Sequence, residues 1–179
     1  MKYNKILLIL FLFSIAMSNN AQDIYIQGGG TLTDWAHLKK YEQSNSELKK
    51  INEPDRIVFM GNSITEGWSN FDKDFFINNP FVNRGIGGQT TPQMLIRFKP
   101  DVVNLNPKAV VILAGINDIA ENTGPVTIEN IAENIISMAE IAKANEIKVF
   151  ICSTLQMIRD NALSTSGMLV QKIGGQRVY

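Results

Sequence analysis

The chain has 179 residues, 45% of them hydrophobic and 19% charged, with seventeen basic residues balanced by seventeen acidic ones. That length suits one domain with a proper core, and a neutral balance with no basic run argues against a nucleic-acid binder. A single cysteine and a single histidine exclude an internal disulfide framework and a cysteine/histidine metal cluster, so neither a metal nor a cofactor is expected.

At the start, Lys2 and Lys5 precede an uncharged apolar run from Ile6 to Met17, followed by Ser18-Asn19-Asn20-Ala21. This is the charge, core and small-residue layout of a secretory signal. The run is twelve residues long, too short to span a bilayer comfortably. Residues 1–21 are therefore expected to be a signal peptide, cleaved after Ala21, that exports the protein to the periplasm or the medium without stable membrane insertion. An uncleaved N-terminal anchor is the rival reading. Cleavage would remove two of the seventeen basic residues, leaving fifteen against seventeen acidic ones and a formal charge of −2.

The mature chain opens on Asp23-Ile24-Tyr25-Ile26 and a flexible Gly28-Gly29-Gly30 lead-in. Trp35, Leu38 and Tyr41 then recur at helical spacing, with Thr33 or Asp34 available as a cap, so a surface helix is expected over about 32–50. His37 lies on it and is read as solvated. Ile57 to Met60 is an apolar run ending at Gly61, the pattern of a buried parallel strand. Asn62-Ser63 follows on a tight turn that can open a helix, which puts Ser63 at the carboxyl edge of a sheet, where ligands bind in open α/β folds. The plain alternative is that Ser63 merely caps that helix.

A short helix is expected around Trp68 and Phe71 to Phe76, then a second strand over Phe81–Ile86 with the loop Gly87-Gly88-Gln89-Thr90-Thr91 behind it. Pro92 suits the first turn of a helix carrying Met94, Leu95 and Phe98, which should stop before Pro100. Ala109–Ala114 is a third strand with Gly115-Ile116-Asn117-Asp118 as its outgoing loop. Ile128, Ile131, Ile135, Ala139 and Ala142 mark a long helix from Thr127 to about Asn145, and Lys148–Ser153 is a fourth strand in which Cys152 reads as a small buried side chain. Strands alternating with helices imply right-handed crossovers, a parallel sheet and a three-layer α/β domain.

Three strand ends thus carry small or polar loops to what should be one edge: Asn62-Ser63, Gly87-Gly88 and Asn117-Asp118. Acyl transfer needs a nucleophile and donors aimed at a developing oxyanion. Ser63 could serve as the first; its own N–H, the Gly88 N–H and the Asn117 amide could serve as the second. Gly85-Ile86-Gly87-Gly88-Gln89-Thr90 begins like a dinucleotide fingerprint. Thr90, however, takes the third glycine's place, and no acidic residue ends a strand about twenty positions on.

Gly61-Asn62-Ser63-Ile64-Thr65-Glu66-Gly67-Trp68, Asn83-Arg84-Gly85-Ile86-Gly87-Gly88-Gln89-Thr90-Thr91 and Gly115-Ile116-Asn117-Asp118 resemble, in order and register, the first three sequence blocks of the SGNH hydrolases, also called GDSL esterases and lipases. The resemblance implies a flavodoxin-like α/β/α sandwich, Ser63 as nucleophile, and Gly88 and Asn117 in the oxyanion hole. Asn62 stands where the family most often has aspartate.

The family's general base is a histidine in an Asp-x-x-His block after a fifth strand. The sequence has no counterpart, since His37 precedes the serine and no histidine follows Asp160. The expectation is an SGNH-like domain over residues 22–154 without its last strand and helix, then a tail over residues 155–179 altered by frameshift or truncation. The resemblance implies a secreted esterase for acetylated sugars, short acyl esters or lysophospholipids, inactive or crippled as it stands. The alternatives are a catalytically silent domain that binds glycans or acyl esters, and a non-functional fragment. A sheet edge left open would favour oligomers.

Overall fold

The computed structural model describes residues 29–152. Among them, β1 (Ile57–Gly61), β2 (Phe81–Gly85), β3 (Ala109–Leu113) and β4 (Lys148–Ile151) form one sheet in the order β2-β1-β3-β4, with every neighbouring pair parallel. This is the parallel α/β architecture that the alternation of elements implies. Ile57 pairs with both Phe81 and Ala109, and Gly61 with both Gly85 and Leu113, so three strands end level. Their outgoing loops therefore start from the same height. The expected signal peptide, the tail over residues 155–179 and the question of the missing last strand and helix all fall outside the described residues.

The helices are α1 (Glu42–Leu48), α2 (Ser63–Phe71), α3 (Lys73–Ile77), α4 (Thr91–Asp101), α5 (Ile116–Ile119) and α6 (Ile128–Ala144). Strand side chains alternate between faces, and β1 shows the consequence. Phe59 packs among Trp68, Phe75, Phe76 and Phe81 at centroid distances of 5.4 to 5.6 Å, with Trp68 stacked on Phe75 at 4.7 Å. That aromatic cluster seats α2 and α3 on one face. Val58 and Met60 join Val110 and Ile112 in the opposite core, against Met94 and Phe98 of α4 and Ile131, Ile135 and Met138 of α6. Each such side chain, fully buried, stabilises the fold by about 1.5–3 kcal/mol.

Local signals account for most boundaries. Thr127 Oγ1 accepts from the Asn130 N–H at 3.2 Å and starts α6. Thr90 and Gln93 form a reciprocal capping box at the start of α4.

Three expectations are corrected. In place of a helix over 32–50 there is a 3-10 turn, Leu38–Tyr41, followed by α1. The Asp34 carboxylate accepts from Leu38 N–H (2.7 Å) and Lys39 N–H (3.1 Å), and His37 sits in the left-handed region at φ 56°, so no continuous helix can pass through it. His37 is accordingly half-buried, its Nδ1 is buried without a hydrogen bond, and burial holds its pKa below the ordinary value.

The second correction is that α4 runs through Pro100 to Asp101. A proline in the last turn removes a single ladder bond, and the chain still closes with Val102 N–H on Phe98 O at 2.9 Å. The third concerns Cys152, which is exposed. It lies just past β4, which among the described residues pairs with β3 alone.

Candidate active site

Ser63 owes its position to the residues around it. Asn62 is fully buried and extended, and its Oδ1 accepts from the Ile64 N–H at 3.0 Å. Asn62 is therefore the cap of α2, and the reading of Ser63 as a mere cap falls. Ser63 is exposed as the first residue of α2, and its Oγ makes no hydrogen bond among the described residues. The first turn of α2 lies directly on the end of β2: a Cβ built on Gly85 would meet Glu66 N at 2.1 Å. Only glycine permits that approach.

The loop after β2 comes beside the serine. A Cβ built on Gly87 would lie 3.7 Å from Ser63 Cβ and 2.9 Å from Glu66 Oε2. The Gly87 N–H donates to Glu66 Oε2 at 2.6 Å, and the other carboxylate oxygen pairs with Lys40. Gly88 adopts φ 76°. Its carbonyl accepts from Asn122 Nδ2 at 3.0 Å, while its N–H makes no hydrogen bond among the described residues.

The loop after β3 closes the third side. Gly115, at φ 106°, turns the chain into α5, and Asn117 Nδ2 donates to Gln89 O at 2.9 Å. An amide nitrogen carries two hydrogens, so one ties the two loops together and the other remains. Asp118 is buried and accepts from Thr91 N–H at 3.0 Å with both oxygens and from Thr91 Oγ1 at 2.6 Å. Burial pushes its pKa up, opposed by the Thr91 hydrogen bonds. Ser63, Gly88 and Asn117 thus belong to three loops joined at one edge of the sheet.

A buried polar network beneath these loops was not foreseen from the sequence. Arg97, fully buried on α4, donates to Gly61 O (3.0 Å), to Asp101 Oδ2 (2.9 Å) and to Gln89 Oε1. Burial lowers its pKa, opposed chiefly by Asp101. Asn45 Nδ2 donates to Asp101 Oδ1 (2.6 Å), and Arg84 donates to Asn45 Oδ1 from Nε (2.9 Å) and Nη2 (2.8 Å). The Arg84 guanidinium lies 4.5 Å from the centroid of the Tyr41 ring, and the Tyr41 hydroxyl donates to Gly85 O.

Gln89 Nε2 holds Ala36 O (2.8 Å) and Gln93 Nε2 holds Trp35 O (2.9 Å), which pins the segment before His37 against the glycine loop. The sequence signal was the run Gln89, Gln93, Arg97, Asp101, polar at every fourth residue, and such a run ordinarily marks a solvated helix face.

Residues 59–172 match the model of the GDSL-like Lipase/Acylhydrolase family. The chain belongs to this family. The matched span includes Ser63, Gly88 and Asn117 and continues past residue 154. Among solved structures, a Bacteroides fragilis NCTC 9343 protein described as an acylhydrolase is 56% identical, with 68% of this chain and 59% of that one covered at a TM-score of 0.65. A GDSL-like lipase from Bacteroides thetaiotaomicron VPI-5482 is 51% identical over 66% of this chain and 58% of that one, at a TM-score of 0.63. The uncharacterized lipoprotein YqeF of Bacillus subtilis strain 168 is 33% identical over 87 residues, which are 47% of this chain and 36% of that protein. The chain thus spans under two thirds of each of these relatives.

Proposed function

We propose that Ser63 is the nucleophile of a carboxylic ester hydrolase. The observation that carries the reading is the approach of the glycine loop to the serine, 3.7 Å from a Cβ built on Gly87 to Ser63 Cβ. A carbonyl attacked by Ser63 Oγ would develop its negative charge beside the Gly88 N–H, the Ser63 N–H at the start of α2 and the uncommitted hydrogen of Asn117 Nδ2. Donors fixed before the charge appears stabilise it without reorganisation, and each contributes about 10²–10³ in turnover.

A triad base is worth about 10⁴–10⁶. His37, the one histidine in the sequence, stands before β1 and makes no hydrogen bond to Ser63 among the described residues. An oxyanion hole acting alone gives about 10³–10⁴ over water, so slow turnover is the expectation for this polypeptide. Substrates in keeping with the reading are acetylated sugars, short acyl esters and lysophospholipids. Export fits both the N-terminal signal pattern and the likeness to a lipoprotein.

The test is release of 4-nitrophenol from 4-nitrophenyl acetate by the full chain and by Ser63→Ala. The reading predicts saturable release that falls to background in the variant; equal release by both contradicts it. A silent glycan- or acyl-ester-binding domain is the second reading, favoured by the absence of a hydrogen-bonded base at Ser63 Oγ among the described residues. It predicts saturable binding of an acetylated oligosaccharide that Ser63→Ala leaves unchanged, with no ester cleavage.

A further inference from the structure

Glu66 stands one helical turn after Ser63 on α2, and its carboxylate is held between two partners. Oε2 accepts from the Gly87 N–H at 2.6 Å, and Oε1 pairs with Lys40. Gly87 and Gly88 are consecutive glycines, and Gly88 is at φ 76°, so no side chain restrains the peptide that joins them. Rotation of that peptide would change the direction in which the Gly88 N–H points, beside a Gly87 whose built Cβ would lie 3.7 Å from Ser63 Cβ. Its two flanks are nevertheless fixed, by Glu66 at the Gly87 N–H and by Asn122 Nδ2 at the Gly88 carbonyl (3.0 Å). A hydrogen bond to a carboxylate is shorter and stronger than a neutral one, which makes Glu66 the firmer of the two.

From this geometry we infer that Glu66 is a positioning residue for the oxyanion hole: by taking the Gly87 N–H, it sets the Gly87–Gly88 peptide so that the Gly88 N–H faces the acyl oxygen. The inference rests on the reading of Ser63 as nucleophile. It differs from a purely electrostatic role because it depends on reach. Aspartate keeps the charge but is shorter by one methylene, about 1.5 Å, whereas glutamine keeps an acceptor at full reach without the charge.

The experiment compares the full chain with Glu66→Ala, Glu66→Asp and Glu66→Gln by two readouts. The first is the rate of Ser63 modification by a fluorophosphonate, resolved into its maximal rate and half-saturating concentration. The second is the amide proton shift of Gly87 and Gly88 by NMR. The maximal rate should fall about tenfold to hundredfold in the alanine and aspartate variants. The half-saturating concentration and melting temperature should stay near those of the parent, and glutamine should recover most of the rate. The Gly87 amide proton should lie well downfield in the parent and move upfield in the alanine and aspartate variants, with Gly88 shifting alongside.

An unchanged rate in Glu66→Ala, or equal losses in the glutamine and alanine variants, overturns the inference while leaving Ser63 as nucleophile. A parent chain that takes no label overturns the reading of Ser63 and with it the catalytic role given to Glu66. The Gly87 shift tests the clamp apart from reactivity, and an ordinary shift in the parent overturns it.

Discussion

Arg97 Nη2, fully buried on α4, donates to the carbonyl oxygen of Gly61 at 3.0 Å, two residues before Ser63. The same guanidinium holds Gln89 of the glycine loop and Asp101 of its own helix. One side chain thereby fixes the end of β1 relative to the loop after β2. Arg97→Met would strand the Asp101 carboxylate with Asn45 as its remaining partner. A loss of about 3–5 kcal/mol in unfolding free energy is expected by urea denaturation. A loss below about 1 kcal/mol would contradict the role given to Arg97.

Asp118 anchors the N-terminus of α4 through Thr91. Asp118→Ala leaves the Thr91 N–H without its acceptor, at about 1–3 kcal/mol, and Asp118→Asn, which keeps one acceptor oxygen, should cost less. The folded-state pKa is raised above 3.8 by burial, so the native state holds this proton more tightly than the unfolded chain. Its contribution is therefore fully present below pH 3.8 and declines as pH rises through the folded value. Unfolding free energies of parent and Asp118→Asn, measured across that window, should show the parent losing stability relative to the variant as pH increases.

Tyr41 should titrate late. Burial raises its pKa from 10.0 to about 12, partly opposed by Arg97 and Arg84, and its hydroxyl donates to Gly85 O. The stability this group contributes is present below pH 10 and is lost as pH rises toward 12. Ultraviolet titration of the folded chain should show one tyrosine ionising near pH 12, and Tyr41→Phe should remove that component.

Phe59 is the centre of the aromatic cluster that seats α2 on the sheet. Phe59→Ala should cost about 3–5 kcal/mol by chemical denaturation. A cost near that of a surface substitution would mean that α2 is held chiefly by its polar contacts.

The two central strands were legible because each is a short apolar run closed by a glycine or a polar turn, Ile57–Gly61 and Ala109–Leu113. The three loops of the site were legible for the same reason, since level strand ends bring sequence-distant loops to one edge. The residues that hold those loops together were not. Gln93, Arg97 and Asp101 are buried at intervals of four on α4, where periodicity alone assigns them to water. Their partners, Gly61, Asn45 and the backbone of Trp35, are too distant in sequence for spacing to reveal. Asp34 and the left-handed His37 broke a helix that side-chain spacing favoured, because a carboxylate taking the backbone N–H groups four and five residues on is a local alternative that competes with a continuous helix.

The central claim is that Ser63 is the nucleophile at the meeting point of three loops. The most direct measurement is the intact mass of the folded full chain after exposure to a fluorophosphonate, with the modified residue located by peptide mapping. The account predicts a single phosphonyl group on Ser63, absent in Ser63→Ala. A folded chain that remains unmodified, or one modified elsewhere, would contradict it.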